Sequence, residues 1–351
     1  MVSHMPMKSR SRSLVAKESK ASERGIPSTS FALESLEGRL LMRAPTTWGA
    51  WNKYIYQDAA VASFPRLTGR GETVAVLDTG IANVPSLRGK IVGGYNFIGN
   101  NTNFNDTDGH GTSVAGVIAA SAFTFQGRRY QGIAPGVKLA AVKIDDGSNN
   151  PTPANIQAGL QWVLNNAARY NIVAVNISEG DNNIYTNHNA SSIYSAQLAQ
   201  LTGRGIFVAA AVGNDANHAG IEYPAADPNV VSVGSTNLSD QLSSFSDSGP
   251  NLDLLAPGEF VVTPYVVKGS STFINGQGTS YAAPMAVATA ALIRQVSNTF
   301  SVRDILSIEQ NTPFQDFDAG SGLTFPRLDL FNALYVATHS VNNAVARKIF
   351  A

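Results

Sequence analysis

Residues 73–80 read TVAVLDTG, a short apolar and β-branched run closed by Asp78 and a Thr-Gly turn. A run that is apolar at every position fits a strand buried on both faces, because a half-exposed strand would alternate. The same texture returns in VKLAAVKI (137–144), NIVAVNIS (171–178), GIFVAAAV (205–212) and VVSVGS (230–235). Between these runs the period changes to helical. Residues 112–122 are small and apolar, and 153–169 set Ile156, Leu160, Val163, Leu164 and Ala167 on one face. Residues 190–202 repeat the pattern with Ile193, Ala196, Leu198 and Leu201. Buried strands alternating with helices call for parallel pairing, with helices covering both sides. The predicted fold is therefore α/β, a doubly wound and mostly parallel central sheet. Residues 301–340 read as two closing helices without chemistry, and 341–351 as a C-terminal tail.

The composition narrows the function. The 351 residues carry 25 Lys and Arg against 25 Asp and Glu, a formal net charge of zero. That balance argues against a nucleic-acid partner or a polybasic membrane binder. Cysteine is absent, which excludes disulfide scaffolds, thiolate metal sites and a Cys nucleophile. No apolar run is long enough for a transmembrane helix. Residues 46–340 read as one large domain. Residues 1–25 hold six basic residues (Lys8, Arg10, Arg12, Lys17, Lys20, Arg24) against Glu18 and Glu23. Segment 1–45 is expected to be a basic, disordered targeting or pro segment. Its apolar stretch, SFALESLEGRLLM, contains Glu34, Glu37 and Arg39 and makes a poor signal-peptide core. The run FALESLEGRLLMRA resembles a short N-terminal motif of exported planctomycete proteins.

Three polar residues stand at positions that chemistry favours. Asp78 ends a buried strand, where open α/β sheets place their sites. By itself it would serve as an ordinary cap or turn residue. An aspartic-protease reading would need a second Asp-Thr-Gly, and the chain has one. His110 lies in DTDGHGTSVAG, with Gly109 and Gly111 opening the backbone around it and a small-residue helix following. The other histidines, His4, His188, His218 and His339, show no HxxxH or HxH spacing, so no zinc site is expected. Ser280 lies in NGQGTSYAAPMA, at the first turn of an Ala-rich helix. There the hydroxyl is exposed and the backbone N–H is free to hold an oxyanion. Together the three make a Ser-His-Asp set.

The motifs VAVLDTG, DGHGTSVAG and GTSYAAPMA, in that order, resemble the subtilisin family. The resemblance extends through GIAPGVKLAAVKI, VAAAVGND, EYPAADPNVVSVGS and LSSFSDSGPNLDLLAPG. It implies a subtilisin-like catalytic domain over 46–340 and a serine endopeptidase that works through an acyl-enzyme. It implies Ser280 as nucleophile, His110 as general base and acid, Asp78 as its orienting carboxylate, and Asn214 as the side-chain oxyanion donor. It further implies that Ser178, Glu179 and Gly180 border a bound peptide, and that Glu222 lies at the floor of the primary specificity pocket. An acid there would favour basic P1 residues. Protein or peptide substrates, a monomer, and export to the outside or the cell surface are expected. The alternative is a catalytically silent relative that binds peptides on the same fold.

The sequence also departs from the pattern. Glu179 stands where Leu is usual, Ser113 where His is often found, and Tyr281 where Met is common. The loop AFTFQGRRYQG (122–132) lacks the Asn-rich segment of the strong calcium site. No cofactor is expected for the chemistry, and structural calcium is left without assigned ligands.

Overall fold

Seven strands build the central sheet: β1 (Thr73–Asp78), β2 (Ile91–Asn96), β3 (Lys138–Lys143), β4 (Ile172–Ile177), β5 (Phe207–Ala211), β6 (Val231–Thr236) and β7 (Leu254–Pro257). All pair in parallel, in the order β2-β3-β1-β4-β5-β6-β7. The computed structural model describes residues 48–148, 151–188 and 190–349, with side chains as far as 341. The N-terminal segment 1–45 lies outside the described residues. The helices are α1 (Ala50–Tyr54), α2 (Gln57–Ser63), α3 (His110–Ala119), α4 (Pro153–Tyr170), α5 (Ser195–Gly203), α6 (Thr279–Val296), α7 (Val302–Gln310) and α8 (Leu330–Ile349). An antiparallel hairpin, β8 (Val261–Val267) with β9 (Ser270–Gly276), leads into α6.

The period-2 geometry of the strands sorts the core into two layers. Val74 and Val76 of β1 and Phe207 and Ala209 of β5 face α3 and α6. Their neighbours Ala75, Leu77, Val208 and Ala210 face α4 and α5, meeting Leu160, Val163 and Leu198. Helix α4 starts cleanly because Thr152 accepts a hydrogen bond from the Asn155 N–H and Pro153 occupies the first turn. It stops at Asn171, whose φ of 54° lies in the left-handed region. Chain direction across the sheet reverses around β1. The crevice above the carboxyl end of β1 is thus where a site is expected, and Asp78 stands there.

The five strands read from sequence are present. The sequence reading missed β2 (IVGGYN) and β7 (LLAP), whose glycines and proline mask the strand signal. Ile193 was expected on the apolar face of a helix, but α5 begins at Ser195 and Ile193 is 58% exposed. A turn in which the Ser192 N–H donates to Ser195 Oγ precedes that helix. Residues 301–340 contain α7 and α8 as expected, with an unforeseen hairpin, Gln315–Asp318 with Leu323–Pro326, between them. Helix α8 continues to Ile349, into the expected tail, because residues 341–349 contain no Gly or Pro to stop it. Among the described residues no helix is long and apolar enough to cross a membrane.

Phe207 is fully buried in β5. Phe207→Ala is expected to cost about 3–5 kcal/mol of unfolding free energy, whereas Ile193→Ala should stay within about 0.5 kcal/mol. Denaturant midpoints measured on both variants check the pair.

Candidate active site

The carboxylate of Asp78 is 1% exposed and faces the first residue of α3. His110 Nδ1 lies 2.8 Å from Asp78 Oδ1, which also accepts the Thr79 N–H at 2.7 Å. Two features permit the approach. Gly111 has no side chain to obstruct it: a Cβ there would fall 2.2 Å from the Gly80 carbonyl oxygen and 2.9 Å from Asp78 Oδ1. Asp106 ties the start of α3 to the end of β1. Its Oδ1 accepts from Thr79 Oγ1 and from the N–H groups of Asp108 and Gly109, and its Oδ2 from the Thr112 N–H and hydroxyl. Sequence reasoning passed over Asp106, which does not stand at the N-cap position; Gly109 does.

Ser280 stands in the first turn of α6, after Gly278, whose φ of 138° a side chain would disfavour. Its hydroxyl points to the Ser178 carbonyl at 3.4 Å, and no hydrogen bond joins it to His110, although both line one cavity. Such bonds are often long before substrate arrives. Pro284 lies inside α6 and has no N–H, so the Ser280 carbonyl lacks its usual donor four residues on. The Ser178 hydroxyl donates to that carbonyl at 3.0 Å and accepts from Asn176 Nδ2 at 2.8 Å. Asn214 Oδ1 accepts from the Thr279 N–H at 2.9 Å and the Thr279 hydroxyl at 3.2 Å. With its oxygen held there, the amide turns its Nδ2 the other way. Thr279 was not singled out from sequence, where it reads only as a helix-start residue.

The shared cavity measures about 240 Å³ and is lined by His110, Ser178, Glu179, Gly180, Asn214, Glu222 and Ser280. All eight residues named from sequence are therefore brought together, with Asp78 directly behind His110. Glu222 is buried, and its carboxylate is wedged between two glycines. A Cβ on Gly180 would meet Glu222 Oε2 at 1.6 Å, and one on Gly213 would meet Glu222 Oε1 at 2.6 Å. Burial pushes the Glu222 carboxyl up to about 7; the Asn182 N–H opposes this and the neighbouring Asp247, Asp215 and Asp181 add to it. For His110, burial pulls the imidazole down, but the charge and hydrogen bond of Asp78 override it, and Glu179 and Asp108 add to the rise.

Two groups of side chains come close enough to consider for a metal: Asp78, His110 and Glu179, and Asp215, Glu222 and Asp247. The second offers only oxygen donors, which suit a hard cation such as calcium. The loop at 122–132 forms a short hairpin, Phe123–Phe125 with Arg128–Tyr130, and Phe123 stacks on Phe273. The departures Ser113 and Tyr281 meet: Ser113 Oγ lies 3.4 Å from the Tyr281 hydroxyl, and the Tyr281 ring stands edge-on to His110.

Comparison with known proteins agrees with this architecture. The family model described as "Subtilase family" matches residues 69–333. Subtilisin Savinase of Lederbergia lenta is 36% identical over 246 residues, covering 70% of this chain and 84% of that protein. Alkaline elastase YaB of Bacillus sp. (strain YaB) is 33% identical over 82% of this chain and 69% of its own length. Among solved structures, a cold adapted subtilisin-like serine proteinase is 29% identical with a TM-score of 0.62, covering 75% of this chain and 90% of that one. Fold and relatives define a serine endopeptidase. The chain belongs to the subtilase family.

Gly111→Ala should displace the start of α3 from Asp78. A shift of about 1 Å in a reacting group costs about 10²-fold in rate, so kcat/KM on a peptide substrate is expected to fall by that order. The unfolding midpoint, measured alongside, separates misplacement from unfolding.

Proposed function

We propose that this subtilase cleaves peptide bonds with Ser280 as nucleophile, His110 as general base and acid, and Asp78 as the orienting carboxylate. The observation that carries the reading is the 2.8 Å bond from His110 Nδ1 to a buried Asp78, with Ser280 on the wall of the same cavity. With the Nδ1 proton donated to Asp78, Nε2 is left as the free base. Ser280 Oγ gives its proton to Nε2 and bonds to the substrate carbonyl carbon. The oxyanion is held by Asn214 Nδ2 and by the Ser280 N–H at the start of α6. The tetrahedral adduct collapses to an acyl-enzyme as His110 protonates the leaving amine, and water repeats the cycle to release the acid. Groups of the chain itself handle every proton and charge in this cycle, so the reading assigns no cofactor to it.

Ser178, Glu179 and Gly180 are proposed to border the substrate backbone, and Glu222 to receive a basic P1 side chain. Support for the latter is the absence, among the described ion pairs, of any cation facing Glu222. Because burial and neighbouring acids raise its pKa to about 7, the carboxylate form of Glu222 becomes the major one as pH rises through that value. The enzyme is proposed to act as a monomer on proteins or peptides, with no nucleic-acid partner. Export is proposed because an unrestrained endopeptidase would degrade its own cell's proteins.

A fluorophosphonate probe should label the purified chain and fail on Ser280→Ala. A folded chain that does not label would instead be a peptide-binding relative. The preference for Arg over Phe at P1 should grow as pH rises through about 7, and Glu222→Gly should erase it. Arg substrates cut equally well by that variant would sink the P1 assignment.

A further inference from the structure

The geometry points to Glu179 as a positioning residue for the reaction: its carboxylate is a second counter-charge for the imidazolium that forms on His110. This rests on the reading of His110 as the base. Glu179 follows Ser178 in the loop after β4 and lines the cavity that holds Ser280. An oxygen of Glu179, an oxygen of Asp78 and a ring nitrogen of His110 lie within 4.8 Å of one another. Glu179 is 7% exposed, and its Oε1 is buried with no hydrogen-bond partner. A buried carboxyl oxygen normally has a donor, and Oε1 lacks one.

Its surroundings say what does compensate it. Asp78 faces it from the end of β1, Asp108 from the loop before α3, Asp145 from the loop after β3, and His110 from α3. Of these groups only the imidazole can become a cation. Burial and the three acids push the Glu179 carboxyl well up, and His110 alone pulls it down. The coupling runs both ways, since Glu179 also raises His110. An ionised Glu179 is therefore favoured in the state in which His110 is protonated, the state reached as Ser280 attacks. Glu179 neither gives nor takes the reacting proton. It lowers the energy of the charge that His110 acquires, as Asp78 does through a direct hydrogen bond. An apolar side chain at 179 would leave that task to Asp78 alone.

The sign follows from charge. Removing a negative group beside the imidazole makes its proton easier to lose, so the acid limb of activity moves to lower pH. The readout is the rate of fluorophosphonate labelling of Ser280 between about pH 5 and 10, which reports the activated nucleophile without a peptide substrate. Full-length wild type, Glu179→Gln, Glu179→Leu and Glu179→Asp are compared. In the Gln and Leu variants the limb should move down by about one pH unit and the alkaline plateau should fall about tenfold. In the Asp variant, which keeps the charge, the limb should stay near that of wild type. The inference is overturned if the limb stays put in the Gln and Leu variants. It is also overturned if all three variants shift alike, or if the Gln and Leu variants lose labelling at every pH. Wild type that does not label overturns the triad reading and this inference together, whereas labelled wild type with an unmoved limb overturns this one alone.

Discussion

Helix α6 is buried along nearly its whole length, and the site depends on where it begins. A buried helix leaves orphan N–H groups at its first turn, which need partners or a ligand. Here Thr279 finds Asn214 and Gly278 precedes the turn in a conformation suited to glycine, so α6 begins at the cavity that Ser280 lines. Pro284 then releases the Ser280 carbonyl, and Ser178 on the loop after β4 takes it up. One missing N–H thus becomes the link between the helix that carries Ser280 and the sheet. The alanines at 282, 283, 286, 288, 290 and 291 let α6 lie close against Ala174 and Ala209. That close fit holds the helix start against β4 and β5.

The second constraint is charge. Asp78, Glu179, Glu222 and Asp247 are all buried around one end of the sheet, and oxygens of Asp78, Glu179 and Asp247 have no hydrogen-bond partner. Like charges this close raise one another's pKa unless a cation joins them. Burial pushes Asp247 up to about 6, with Asp215 adding to it and the Asn217 and Asp215 N–H groups opposing. A cavity built this way is more stable with positive charge in it than without. On the proposed mechanism His110, protonated in mid-reaction, would supply that charge on one side, and a basic substrate side chain beside Glu222 would supply it on the other.

Much of this was legible in the chain because the signals are local. Continuous apolar runs announced β1, β3, β4, β5 and β6, and glycines on both sides of His110 announced a residue that must be closely approached. Strands β2 and β7 escaped because IVGGYN and LLAP have too little β-branched character to stand out. Ile193 misled because helical spacing continues past the turn that Ser195 caps. Residues whose value lies in a distant partner were least legible. Thr279 matters through Asn214, Asp106 through Thr79 and Thr112, and Asp247 through Glu222. None of these pairings leaves a spacing that a single sequence exposes.

The departures are consistent with one another once placed in space. A larger residue at 113 would press on Tyr281, because Ser113 Oγ already lies 3.4 Å from the Tyr281 hydroxyl. Gly276 makes room on another side, where a Cβ would stand 2.5 Å from the Tyr281 ring. The small residues at 113 and 276 and the large one at 281 therefore form a single packing solution beside His110. Glu179 stands on the same imidazole with a charge where the family pattern has an apolar group. The ring is thus confined by an aromatic edge and tuned by two carboxyls. Changing one of these positions toward the usual residue would leave the others fitted to a neighbour that is no longer there, which is why they are best understood as a set.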